Sequence, residues 1–236
     1  MTAGEVIVPA RVLAIGAHPD DIEFGCGASL AHWARAGTHV ELVVLTDGSK
    51  GTWDPACDLG ALVATRRQEQ WAAARTLGAA DVHFVGAVDG ELAADRGTTE
   101  RVCALVRAAR PDVVLGHDPW KRYRLHPDHR RAGELLIEGI VAARDPHFFP
   151  GAGTPHRPSR LLLFEAQDVD HVEVVDDGAV DAKIAALLCH HSQWRSTMGI
   201  EEDGPDADAQ RAAFEARIRA EIADAGGEAF KLITEL

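Results

Sequence analysis

The chain has 236 residues, 46% hydrophobic and 26% charged, a globular balance that excludes disordered and fibrous classes. Lys and Arg number 24 against 37 Asp and Glu, and the net charge of −13 would repel a phosphate backbone, so no nucleic-acid partner is expected. No apolar run approaches the ~20 residues a spanning helix needs, and the N-terminal MTAGEVIVPAR lacks a basic region ahead of an apolar one, so neither a membrane span nor a secretory signal is expected. Four cysteines without CxxC spacing read as reduced thiols of a cytoplasmic protein.

In chain order, residues 12–17 (VLAIGA) form an apolar run that reads as a fully buried strand. A helix follows over 28–35, with Gly25 and Gly27 before it and Gly37 as its stop. Residues 40–45 (VELVVL) are a second strand, and 47–58 (DGSKGTWDPACD) a Gly, Asp and Pro-rich loop. A long helix over 59–77 ends at Gly78, a strand covers 82–85, a helix covers 99–109 up to Pro111, and a strand over 113–115 leads into His117-Asp118-Pro119-Trp120. Residues 145–160 carry four prolines and read as a long connection. Further strands are expected at 161–165 and 171–175, helices at 181–190 and 209–225, and an acidic solvated loop at 201–208. Strands alternating with helices imply βαβ units, hence an α/β fold on a parallel sheet. No repeat or boundary divides the chain, so 1–236 is read as one domain.

The chemistry-bearing signal is a pair of clusters, His18-Pro19-Asp20-Asp21 and His126-Pro127-Asp128-His129, each downstream of an expected strand. Ligands of open α/β sheets bind outside the carboxyl ends of the strands, so clusters far apart in sequence can share one crevice. Imidazole and carboxylate are the usual ligands of a catalytic zinc, which takes three protein groups. His18 and Asp21 are three apart, as are His126 and His129, and Pro19 and Pro127 suit the first position of a helical turn. That is more ligands than zinc needs, and the remainder, including Asp20 and Asp128, are available as base, acid or orienting groups.

These residues resemble the LmbE-like, or PIG-L, family of zinc-dependent N-acetyl-sugar deacetylases. Residues 17–27 (AHPDDIEFGCG) resemble its first motif and 126–129 (HPDH) its last metal motif. Leu45-Thr46-Asp47-Gly48, Arg66-x-x-Glu69, Leu77-Gly78 and Asp89-Gly90-x-Leu92 fall between them in order, and a weaker match continues through Lys183–Leu187 to Gln193, so the resemblance covers roughly 11–195. It implies a Rossmann-like three-layer αβα fold with one Zn²⁺ held by His18, Asp21 and His129. It makes Asp20 the general base for the metal-bound water, and gives His126, steered by Asp128, the oxyanion or the leaving amine. Spacing alone does not separate His126 from His129. One departure is Arg124, which stands where some members carry a tyrosine, with Tyr123 offset by one.

Arg66 falls among apolar helix neighbours, where a charge needs a partner. It either pairs with Glu69 or reaches the crevice to bind sugar hydroxyls or steady Asp20, and the resemblance favours the crevice. Asp89 is either a turn residue or part of the substrate pocket, and Glu23 either orients a ligand or caps the helix at 28–35. Trp120 and Tyr123 are weak candidates for stacking on a sugar, and His190 and His191 read as packing or capping residues. The sequence Gly48-Ser49-Lys50-Gly51 lacks phosphate-loop spacing.

The expected activity is thus a zinc-dependent hydrolase removing an acetyl group from the nitrogen of an N-acetylglucosamine-type sugar. Its partner is that small molecule, with a homo-oligomer left open as the assembly. One rival is an amidase of the same family acting on a thiol conjugate or another amide. The other is a non-catalytic Rossmann-type sugar- or nucleotide-binding module, which would carry a Gly-rich loop where this chain has HPDDIEFG.

Overall fold

Strand β1 (Arg11–Gly16) shows why its sequence is apolar without alternation. Leu13 and Ile15 face one core cluster while Val12 and Ala14 face another, so both sides of the strand are buried. The computed structural model describes residues 8–236. After β1 come α1 (Asp21–Arg35), β2 (His39–Thr46), α2 (Leu59–Leu77), β3 (Asp81–Ala87), α3 (Arg96–Ala109), β4 (Val113–His117), α4 (Pro127–Arg144) and β5 (Arg160–Phe164). The chain continues through β6 (His171–Glu173), α5 (Asp177–Leu188), a short 3₁₀ and π segment over 191–198, α6 (Ala207–Ala225) and β7 (Glu228–Ile233).

The seven strands form one sheet in the order β3-β2-β1-β4-β5-β7-β6. The first five are mutually parallel, and β7 runs antiparallel between β5 and β6. Helices α3 and α4 bury Val102, Val106, Leu135 and Ile140 on one face of the sheet. Helices α1, α2 and α5 bury Leu30, Ala73, Leu77 and Ala186 on the other. A third cluster joins α5 and α1 to α6 through Leu187, Ala28, Phe214 and Ile218. The expected three-layer, mainly parallel architecture is the one observed.

Two elements were not legible. Helix α4 contains Gly133 and Gly139, residues that weaken a helix by about 1 kcal/mol each. Both are packing sites: a Cβ on Gly133 would lie 2.6 Å from the His117 carbonyl, and one on Gly139 would collide with Val102. Strand β7 is short and lies after the expected last helix, and its pairing partners are distant in sequence. The expected helix over 28–35 begins earlier, at Asp21, and is kinked at Cys26, with φ −152° and ψ 18°. The kink frees the amides of Ala28 and Ser29, which donate to the buried Glu228 carboxylate at 3.1 and 2.7 Å. The Pro-rich connection is pinned by Arg107, which donates to the carbonyls of Ala142, Ala143, Asp145, Phe148 and Phe149. No helix among the described residues is long and apolar enough to cross a membrane.

Candidate active site

The carboxyl ends of β1 to β5 carry His18, Asp47, Asp89, His117 and Glu165 just at or after the strand. His18, Asp20, Asp21, Arg66, Asp89, His126 and His129 line one cleft of about 560 Å³. The two HPD clusters therefore meet, as expected of an open sheet.

The turn from β1 into α1 separates two adjacent carboxylates. Asp20 takes a positive φ of 100° and precedes the helix, whereas Asp21 is its first residue. The His18 amide donates to Asp21 Oδ2 at 2.7 Å, and His129 Nε2 lies 3.3 Å from Asp21 Oδ1. His18 Nδ1 is 3.3 Å from Asp21, and its Nε2 lies 3.1 Å from Asp89 and 3.2 Å from Asp128. Burial works against a charged His18, yet hydrogen bonds to Asp128, Asp21 and Asp89 push it up to about 12. Burial likewise opposes ionisation of Asp21, and the imidazoles of His129 and His117 outweigh it and hold its carboxyl well below the usual range.

Donor atoms of His18, His126 and His129 lie within 4.8 Å of one another, as do those of Asp21, His117 and His129, and those of His18, Asp89 and Asp128. The expected trio of His18, Asp21 and His129 spans the first two of these clusters through its pairwise contacts. The donor set fits a divalent cation. Three carboxylates hold a proton on His18 at the place where such an ion would neutralise the same field.

Asp20 is buried, which raises its carboxyl to about 6 against the pull of Arg66 and His190. Its amide donates to Gln70 Oε1 at 3.1 Å, and Gln70 Nε2 donates to Glu23 at 2.5 Å. Glu23 thus stands behind Asp20 and faces His190 at 3.7 Å; it does not cap the second half of α1. Arg66 donates to the carbonyls of Gly48 at 2.9 Å and Pro19 at 2.6 Å and approaches Asp20 Oδ2 at 3.4 Å. The alternative pairing with Glu69 is not formed, because Glu69 accepts from the Ser192 amide at 2.8 Å and hydroxyl at 2.6 Å.

His126 caps α4, and its Nδ1 accepts from the Asp128 amide at 3.3 Å. That places the proton of the neutral ring on Nε2. Burial, with His18 and His129 nearby, lowers the pKa of His126 and keeps it neutral. The expectation that Asp128 steers His126 needs correcting in its atoms. The amide does so, while the Asp128 carboxylate serves His18 and accepts from the amides of Gly90 at 2.6 Å and Leu92 at 3.3 Å. Asp89 accepts from the Lys50 amide at 3.0 Å, which ties the 47–58 loop to the cleft.

His117 opens the run read at the end of the fourth strand, and Arg124, the departure from the family pattern, lies in the loop after β4. Glu165 was missed, although it lies at a strand end, where the same sheet rule would have found it. Trp53, exposed on the 47–58 loop, lines the cleft, whereas Trp120 and Tyr123 are not among its lining residues and are exposed. His191 stacks on Trp194 at 4.3 Å.

Residues 13–140 match the family model described as PIG-L, GlcNAc-PI de-N-acetylase. The chain belongs to the PIG-L family. It is 33% identical over 188 residues to a diacetylchitobiose deacetylase of Thermococcus kodakarensis, covering 78% of this chain and 70% of that one. It is 34% identical to a 1D-myo-inositol 2-acetamido-2-deoxy-alpha-D-glucopyranoside deacetylase of Streptomyces avermitilis, covering 83% of this chain and 84% of the relative. Among solved structures, the N,N'-diacetylchitobiose deacetylase from Pyrococcus horikoshii superposes with a TM-score of 0.82 at 28% identity, covering 96% of this chain and 84% of that one.

Proposed function

We propose that this PIG-L protein is a zinc-dependent N-deacetylase that hydrolyses the acetamide of an N-acetylglucosamine-type sugar. His18, Asp21 and His129 would hold the ion. Zinc, when bound, supplies a Lewis acid and lowers the pKa of water toward 7. Asp20 accepts the proton of the attacking water, since its burial leaves a carboxylate basic enough to do so near neutrality. The Nε2–H of neutral His126 donates to the acetyl oxygen as it gains charge. Asp20 then returns the water's proton to the departing nitrogen, so that the C–N bond breaks to acetate and a free amine. Arg66 and Asp89 bracket the sugar, with Asp89 an acceptor for hydroxyl groups. The four unpaired cysteines fit a reducing compartment and support a cytoplasmic enzyme.

The observation that carries this reading is one cleft joining a buried carboxylate, a neutral imidazole donor and an Asp21 carboxylate in contact with both His18 and His129. Acetate release should be measured with zinc on N-acetylglucosamine glycosides bearing a second sugar, an inositol or a simple alkyl group, beside thiol-conjugate amides. The proposal expects acetate from at least one glycoside and none from the amides. Cleavage of the amides alone would establish the amidase reading, and tight glycoside binding without turnover in zinc-loaded protein would establish the binding module.

A further inference from the structure

His117 is fully buried at the end of β4, and its ring is clamped on two sides. It stacks on His129 at 4.4 Å with an interplanar angle of 16°, and meets Phe164 edge-on at 4.6 Å. Its Nε2 lies 3.2 Å from Asp21 Oδ2 and its Nδ1 3.3 Å from Glu165 Oε2. The Ala17 amide also approaches Nε2, at the longer distance of 3.4 Å. A carboxylate can only accept, so Nε2 carries the proton toward Asp21.

The two oxygens of Asp21 are consequently unequal. Oδ2 is taken by the His18 amide and by His117, and Oδ1 is left facing His129. Rotation of the carboxylate would give up both of these donors. Glu165 is held in turn by Arg124, whose Nη1 lies 2.5 Å from Glu165 Oε2. The Arg124 side chain is only 9% exposed, and its Nε and Nη2 find no partner. A guanidinium is not buried cheaply on a loop without something to hold. Glu165 itself adopts φ 52°, a left-handed conformation for a non-glycine residue, which is the kind of strain that marks functional positions.

We infer that His117 is a positioning residue for the metal site. It fixes the rotation of the Asp21 carboxylate, and Glu165 and Arg124 fix His117, so a chain of side chains runs from the loop after β4 to the ligand oxygen. The inference rests on the proposed role of Asp21 as a ligand. Groups of this kind typically change metal affinity by about 10–100-fold.

The affinity of purified protein for Zn²⁺ alone, measured by competition with a chromophoric chelator, tests it. His117→Phe keeps the stacked ring and loses both hydrogen bonds, so affinity should fall about 10–100-fold. His117→Gln can place its amide nitrogen where Nε2 lies and should recover most of that loss. Glu165→Gln, at a half-exposed site, should weaken binding less than His117→Phe and add nothing to it in the double variant. The visible bands of the Co²⁺-substituted protein should keep their positions in His117→Gln.

Wild-type zinc affinity in His117→Phe overturns the inference. So do altered Co²⁺ bands in His117→Gln without recovery of affinity, which would make His117 a ligand. Should His117→Phe fail to fold, unchanged affinity in Glu165→Gln overturns it instead. Asp21→Ala tests the underlying reading separately, because full zinc binding there would remove Asp21 from the ligand set whatever His117 does.

Discussion

Replacing Asp20 by Asn removes a base while preserving the size of the side chain, and Asn tolerates the positive φ of this position better than most residues. A positioned general base contributes about 10²–10⁴-fold, so kcat should fall by that factor, equivalent to about 2.7–5.4 kcal/mol on the barrier. The same change should affect stability in the opposite direction. The folded carboxyl sits at about 6 against an ordinary value of 3.8, because burial penalises its charge more than Arg66 and His190 favour it. A carboxyl raised on folding costs nothing below 3.8 and costs progressively more as pH rises through 6. At 1.36 kcal/mol per unit the penalty at pH 7 is up to about 3 kcal/mol, and Asn does not bear it. Metal-free Asp20→Asn should therefore melt above metal-free wild type at pH 7 and level with it near pH 3.5. Steady-state kinetics on the zinc-loaded variant and thermal melts across pH read the two effects. Near-normal turnover would place the base elsewhere, with Asp128 the next candidate, and a lower melting temperature at pH 7 would refute the burial argument.

His18→Ala, Asp21→Ala and His129→Ala should each lower bound zinc and activity together, as read by metal analysis beside kinetics. Zinc that survives His129→Ala but is lost in His126→Ala would exchange the roles of those two histidines. Arg66→Ala removes a cation that holds Asp20 down, so the acidic limb of the kcat/KM profile should move to higher pH with zinc retained. A limb that stays in place would confine Arg66 to joining the Pro19 and Gly48 carbonyls. Lys183→Met strips the buried Glu228 of its ammonium partner at 2.6 Å. The expected loss of about 3–5 kcal/mol corresponds to a melting temperature lower by roughly 6–20 °C, and a shift of a degree or two would show the pair to be neutral.

The fold was legible because β1, β2 and β4 are buried on both faces over most of their length, so their runs are mainly apolar and the helices between them supply the alternation. What stayed hidden was structure whose reason lies elsewhere in the chain. Gly133 and Gly139 look like helix breakers until the His117 carbonyl and Val102 are found against them. Strand β7 is defined by β5 and β6, which it joins, and not by its own six residues. At the site, the HPD clusters announced themselves because the same run of histidine, proline and aspartate occurs twice, each time downstream of a strand. Gln70 and Glu165 did not, since one is a polar helix residue and the other a lone acid, and each acquires meaning only from a neighbour 40 or more residues away.

Asp20 and Asp21 show how the backbone can divide labour that the sequence leaves undivided. They are consecutive and chemically identical, yet one carboxyl is driven up to about 6 and the other well below its usual value. Asp21 begins α1, where the helix dipole favours its charge and where His117 and His129 reach it from β4 and α4. Asp20, one residue earlier, is turned by its φ of 100° toward Arg66 and Gln70 on α2, with Glu23 and His190 behind them. Paired titratable groups whose surroundings push their proton affinities apart are those that separate acid, base and ligand roles. On that ground the acidic carboxylate suits the cation and the basic one suits the water proton, which is the division the Asp20→Asn and Asp21→Ala variants would test.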